Sequence, residues 1–73
     1  MPNAIELLAA DGSTLAVTLD QAVGMLSASG IQTLDAGQIL SGDDPPFGRI
    51  VLQNLEDKES ANRILAESGF NLR

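Results

Sequence analysis

Residues 22–30, Ala-Val-Gly-Met-Leu-Ser-Ala-Ser-Gly, return as residues 61–69, Ala-Asn-Arg-Ile-Leu-Ala-Glu-Ser-Gly, and each copy runs on into an apolar residue, Ile31 or Phe70. The shared positions are Ala22/Ala61, Leu26/Leu65, Ser29/Ser68 and Gly30/Gly69. Alanine and leucine four apart lie on one helix face, and a glycine after the last such residue is the common left-handed stop. Each copy therefore reads as a helix that ends at glycine and feeds a strand. One unit is built twice, and the repeat describes architecture rather than chemistry.

Working outward, Ile5 to Ala10 is an apolar run interrupted only by Glu6, and it stops at Asp11-Gly12, a turn-forming pair whose residues tolerate positive φ. Beyond it two periods compete. Leu15, Val17 and Leu19 alternate as in a strand, whereas Leu15, Leu19, Ala22, Val23 and Leu26 share a helix face. Thr18 with Gln21 has the spacing of a capping box, which predicts a helix from about Thr18 to Ser29. Gly24 inside it costs roughly 1 kcal/mol of helix propensity, an expense that a close packing contact would explain.

Ile31 to Leu40 is expected to be a second strand of imperfect alternation, with a bulge or early end at Gly37. Ser41-Gly42-Asp43-Asp44-Pro45-Pro46 is a loop, because two prolines and a glycine exclude a regular element. Ile50-Val51-Leu52, within Phe47 to Gln53, suits a central, well-covered strand in the middle of the sheet. Asp57 aligns with Thr18 as the cap of a second helix, in which Ala61, Ile64, Leu65 and Ser68 mark the buried face and Glu59, Arg63 and Glu67 a solvated ladder. Phe70 and Leu72 then belong to a last, very short strand. The order is βαββαβ, an α+β ferredoxin-like fold: one domain over residues 1–73, with an antiparallel sheet and two helices on one face.

Composition bounds the function. A chain of 73 residues buries only about 60% of its unfolded surface. With two phenylalanines as its only aromatics, the core must be aliphatic. Its uncovered sheet face or a strand edge makes a homodimer the expected assembly. The net charge of −6 repels phosphate backbones and anionic headgroups, so neither nucleic acid nor membrane is an expected partner. No cysteine or histidine is present, which removes thiolate chemistry, the commonest general base and the commonest metal ligand. The N-terminus shows no signal-peptide pattern, and a cytoplasmic protein is the default expectation.

The second half resembles the ACT domain, a small ferredoxin-like regulatory module. The likeness lies in Phe47-Gly48-Arg49-Ile50-Val51-Leu52, a glycine-led central strand, then Ala61 to Leu65, then Glu67-Ser68-Gly69-Phe70. In the first half, Asp11-Gly12-Ser13-Thr14-Leu15 and Gly30-Ile31 are similar to that family's first turn and to the exit from its first helix. Two departures stand out: the proline before Gly12 is missing, and Gly12 to Gly30 is longer than the family spacing by about one helical turn. The resemblance implies a non-enzymatic module binding an amino acid or similar small effector at a homodimer interface, with Asp11, Gly12, Ser13 and Thr14 as ligand-binding residues. Regulating an output would then require a separate protein partner. No cofactor and no metal are expected.

Other chemistries compete with that reading. Asp-Gly also serves merely to turn the chain. The runner-up function is an assembly module that pairs through its sheet and binds no small ligand. Asp35, Asp43 and Asp44 offer oxygen ligands, but without calcium-loop spacing, and a solvated loop accounts for them. A serine nucleophile would lack a base, since histidine is absent and Lys58 stands at a helix start. Removal of Met1 would expose the amine of Pro2, the base of small tautomerases, but the cationic surroundings of such sites are missing and Pro2 reads as a spacer. RNA-recognition modules carry stacking aromatics where this chain has Ile50, Val51 and Leu52, so that function is excluded.

Overall fold

The computed structural model describes residues 2–10, 12–40 and 46–73, so most of the 41–46 loop, with Asp43 and Asp44, lies outside the described residues. Its elements are β1 (Ala4–Leu7), α1 (Leu15–Ala28), β2 (Thr33–Ile39), β3 (Phe47–Leu52) and α2 (Lys58–Glu67), the last preceded by a single 3-10 turn at Leu55–Asp57. β3 is central, antiparallel to β1 on one side and to β2 on the other. β1 and β2 therefore run parallel and need a crossover, which α1 supplies. The fold is α+β.

The expected fourth strand is reduced to one bridge. Leu72 pairs with Leu7, flanked by backbone bonds from Leu8 N to Asn71 O and from Arg73 N to Glu6 O, both 2.8 Å. This places the closing segment on the outer edge of β1.

Alternation decides which sheet face is covered. Gly48, Ile50 and Leu52 of β3 and Ile5 and Leu7 of β1 are buried on one side, opposite each other in register. They form one core with Leu15, Leu19, Ala22 and Leu26 of α1, Ala61 and Leu65 of α2, and Ile31. Both helices thus lie on one face, and the core is aliphatic as composition required.

The two copies of the repeat do the same mechanical work. Ile31 N bonds Leu26 O at 2.9 Å and Phe70 N bonds Leu65 O at 3.0 Å, while Gly30 N and Gly69 N bond Ser27 O and Ala66 O. Gly30 and Gly69 have φ of +82° and +91°, where a side chain would be strained. These are two Schellman stops, each sealed by the apolar residue after glycine folding back toward its leucine. Ser68 is accordingly the exposed C-cap of α2, not part of its buried face.

Helix starts depart from expectation. α1 begins one turn before Thr18: Thr14 is its cap, and its hydroxyl accepts Val17 N at 3.3 Å. Residues 15–18 are therefore helical, and the helical period prevails over the alternating one because it buries Leu15 and Leu19 together. Thr18 is fully buried, donating from its hydroxyl to Thr14 O and accepting Ala10 N, both at 3.1 Å. It ties the helix to the chain leaving β1. Asp57 does precede α2, but no side-chain bond from it caps the helix.

β2 is irregular for a reason other than Gly37. The register shifts between Thr33 and Asp35, leaving Leu34 64% exposed, whereas Gly37 pairs in step with Arg49. The uncovered sheet face carries a polar network. Glu6 bonds Arg49 at 3.2 Å and Arg73 at 3.5 Å, and the Arg73 guanidinium lies 4.0 Å from the centroid of Phe47, which is only 5% exposed. On α2, Arg63 pairs with Glu59 at 3.6 Å. Among the described residues no helix is long and apolar enough to cross a membrane.

Candidate functional site

The first turn is built by Ser13 N bonding Ala10 O at 3.0 Å, with Gly12 at φ +76°. That backbone needs glycine, and the residues after it start α1. Gly12 and Thr14 are exposed and Ser13 half-buried, while Asp11 lies outside the described residues. Thr14 already serves as the helix cap. The first amides of α1, at Leu15 and Ala16, have no intrahelical acceptor by the geometry of any helix start and point toward this turn.

Ala16 also opens a groove of about 620 Å³ between α1 and β2, lined on the helix by Leu19, Asp20, Val23 and Gly24 and on the strand by Ala36 and Gln38. The groove exists because β2 overhangs the helix layer. Ala36 and Gln38 oppose Ile50 and Gly48, on the core-facing side of the sheet, yet both are exposed. A Cβ added at Gly24 would meet nothing within 4 Å, so the close contact expected there is absent. The close approach is at Gly48 instead, where a Cβ would lie 2.5 Å from Leu19 Cδ2. Among the described residues Asp20 is the one charged side chain lining the groove. The groove offers a carboxylate for a cation and small residues beside it, and reaches the start of α1 at Ala16; Gly12, Ser13 and Thr14 do not line it.

A second cleft, of about 480 Å³, opens off the outer edge of β1. Glu6, Arg49 and Arg73 line it from the sheet, and Lys58 and Asn62 from the start of α2. Sequence reasoning missed this site, because its residues are scattered from 6 to 73 and only the sheet order collects them. A shallow hollow of about 120 Å³ lies between Asp35 and Arg49 on the uncovered face. Among the described residues no three acidic side chains gather to hold a metal ion.

Compared with known proteins, the chain matches no family model, no curated protein and no solved structure. The likeness to the ACT domain rests on the residues quoted above.

Proposed function

We propose that this chain is a non-enzymatic, ACT-like binding module that takes a small zwitterionic metabolite of the amino-acid class at a homodimer interface, in the cytoplasm. The observation that carries the reading is the groove between α1 and β2, open along an edge strand and reaching Ala16 in the first turn of α1. Asp20 would receive the ammonium. The amides of Leu15 and Ala16, beside Gly12, Ser13 and Thr14, would receive the carboxylate, while Asp11 stands next to them in sequence. The second copy would pair along the outer edge of β2, since the sheet face is already occupied by the Glu6, Arg49 and Arg73 network over Phe47.

The test combines a thermal-shift screen against the amino acids with light scattering after size exclusion. A ligand at 100 times its dissociation constant adds about 2.7 kcal/mol. Gly24→Leu should abolish that shift by filling the groove, while leaving the Gly12 turn untouched and the helix more stable. A monomer at tens of micromolar with no response to any amino acid would sink the proposal.

The alternative, an assembly module without a small ligand, draws support from Thr14, whose hydroxyl the helix cap already explains, and from the exposed Leu34 on β2. It predicts a dimer that Gly24→Leu disrupts and that no amino acid stabilises.

A further inference from the structure

Charge is divided along this chain. Six of the ten acidic residues and none of the four basic ones precede Arg49, so the net charge of −6 belongs to residues 1–48. Among the described residues that part supplies β1, α1 and β2. Glu6 is paired with Arg49 and Arg73. Asp20 in the α1–β2 groove and Asp35 on β2 form no ion pair among the described residues, although Asp35 shares the shallow hollow with Arg49.

The strand edge beside Asp20 has backbone groups to offer. Glu6 turns its carbonyl outward to Arg73 N, so Ile5 and Leu7 are the residues that bond β3, at Ile50 and Gly48. Phe47, Arg49 and Val51 therefore bond β2, at Ile39, Gly37 and Asp35. The N–H and C=O groups of Ala36 and Gln38 are left pointing outward past the edge, and no hydrogen bond to them forms among the described residues. Leu34 and Leu40, at the two ends of this edge, are the most exposed large apolar side chains among the described residues. The repeat supplies an internal comparison: Val23 and Gly24, which line the groove, stand where α2 carries Asn62 and Arg63. The helix beside this edge has apolar and small residues where its duplicate has the polar ones of a solvated face.

We infer that the outer edge of β2 takes an extended, basic segment of a separate protein partner, added to the sheet as a further strand. Residues of that strand opposite Ala36 and Gln38 share their face and enter the groove, where Gly24 leaves room for a small apolar side chain and Asp20 receives a lysine or arginine. The residues between them lie on the uncovered face, on the side of Asp35. A basic strand neutralises this acidic part of the chain, whereas a second copy at the same edge brings like charges together, so the segment competes with the second copy and displaces it. The inference shares that edge with the proposed homodimer and needs no amino-acid ligand.

The test is a titration of the intact chain with the end-blocked peptide Lys-Lys-Thr-Val-Thr-Lys-Lys, followed by amide chemical shifts and by light scattering after size exclusion. Two further peptides serve as controls: the same sequence with N-methylvaline at its centre, which keeps the charge and loses a ladder donor, and the sequence with glutamate for every lysine. The expected result is saturation by the first peptide, with perturbed amides at Ala36, Gln38 and along α1 near Asp20, and conversion of any dimer to a peptide-bound monomer. The N-methyl peptide should bind about tenfold more weakly, and the acidic one not at all. Asp20→Asn should weaken the apparent affinity by about tenfold, as loss of a charge-assisted hydrogen bond does. Glu67→Gln, which removes the same charge far from this edge, should leave it unchanged. Ala36→Pro removes an outward N–H and no bond to β3, and should abolish binding with the fold intact. If Ala36→Pro fails to fold, the N-methyl peptide carries the same contrast. The inference is overturned if the basic peptide does not saturate, if either control peptide binds as well, if Glu67→Gln weakens binding as much as Asp20→Asn, or if the perturbed amides lie away from β2. This titration contains no amino-acid ligand and the thermal-shift screen contains no peptide, so the two readings fail separately.

Discussion

Gly48→Ala places one methyl group where α1 lies tightest against the sheet. The new Cβ would stand 2.5 Å from Leu19 Cδ2, 2.8 Å from Cγ and 3.2 Å from Cδ1. Carbon atoms are at ease near 3.5–4.0 Å, so three contacts are too short at once, and Cγ does not move aside with a simple rotation of the leucine tip. Leu19 is only 6% exposed, so swinging out toward the groove it borders would give up its core contacts. Without the clash, alanine in a strand would be favoured over glycine by roughly 0.5–1 kcal/mol. Overpacking costs about 1–3 kcal/mol, which outweighs that gain. The expected net loss is about 1–2 kcal/mol, and at roughly 4–8 °C per kcal/mol for a domain of this size the melting midpoint should fall by on the order of 10 °C.

Far-UV circular dichroism is the assay, because the chain has no tryptophan or tyrosine to report by fluorescence. Leu19→Ala alone should cost about 2–5 kcal/mol through the cavity it leaves. The double variant should lose less than the sum by about 1–3 kcal/mol, since the methyl group introduced by Gly48→Ala then occupies vacated space. A Gly48→Ala protein as stable as the parent, or strictly additive losses, would refute the claim that this glycine exists to admit Leu19.

Gly24→Ala should act in the opposite sense, because nothing lies within 4 Å of its Cβ position: about 1 kcal/mol of added helix stability, read as a higher urea midpoint of the monomer. A loss that deepens with protein concentration would instead show that a second copy packs on this glycine. Thr18→Val keeps the shape but strands Ala10 N–H and removes the bond to Thr14 O, with an expected cost of about 1–3 kcal/mol in thermal melts. Thr14→Ala, which removes only the exposed cap of Val17 N, should cost about 1 kcal/mol. Equal losses at the two threonines would contradict the burial assigned to Thr18. Arg73→Ala should uncover Phe47 and release the closing segment from Glu6, which amide exchange at Leu8 would report as lost protection.

The candidate site was only partly legible. Gly12 announces its turn because few other residues adopt positive φ, and it does so from local chemistry alone. The cationic cleft gives no such signal: Glu6, Arg49, Lys58 and Arg73 share no motif and meet only when β1 pairs with β3 and α2 settles above them. The groove was hidden for the same reason. Gly24 looked like a packing glycine and Gly48 like part of a strand motif, and which of them is pressed depends on where α1 crosses the sheet.

What could be read without coordinates is what neighbours in sequence settle among themselves. The Schellman stops at Gly30 and Gly69, the central place of Ile50-Val51-Leu52, the aliphatic core and the order of elements all follow from local propensity and hydrophobic period. The start of α1 did not, because Thr14 and Thr18 are both competent caps one turn apart. Burying Leu15 and Leu19 against the sheet selects the earlier one and leaves Thr18 to bind Ala10 inside. The last strand shrank to a bridge at Leu72, and three cations gathered at one edge, for a related reason. Pairings between residues more than forty positions apart are decided by the packing of whole layers, and their energy belongs to no single stretch of the chain.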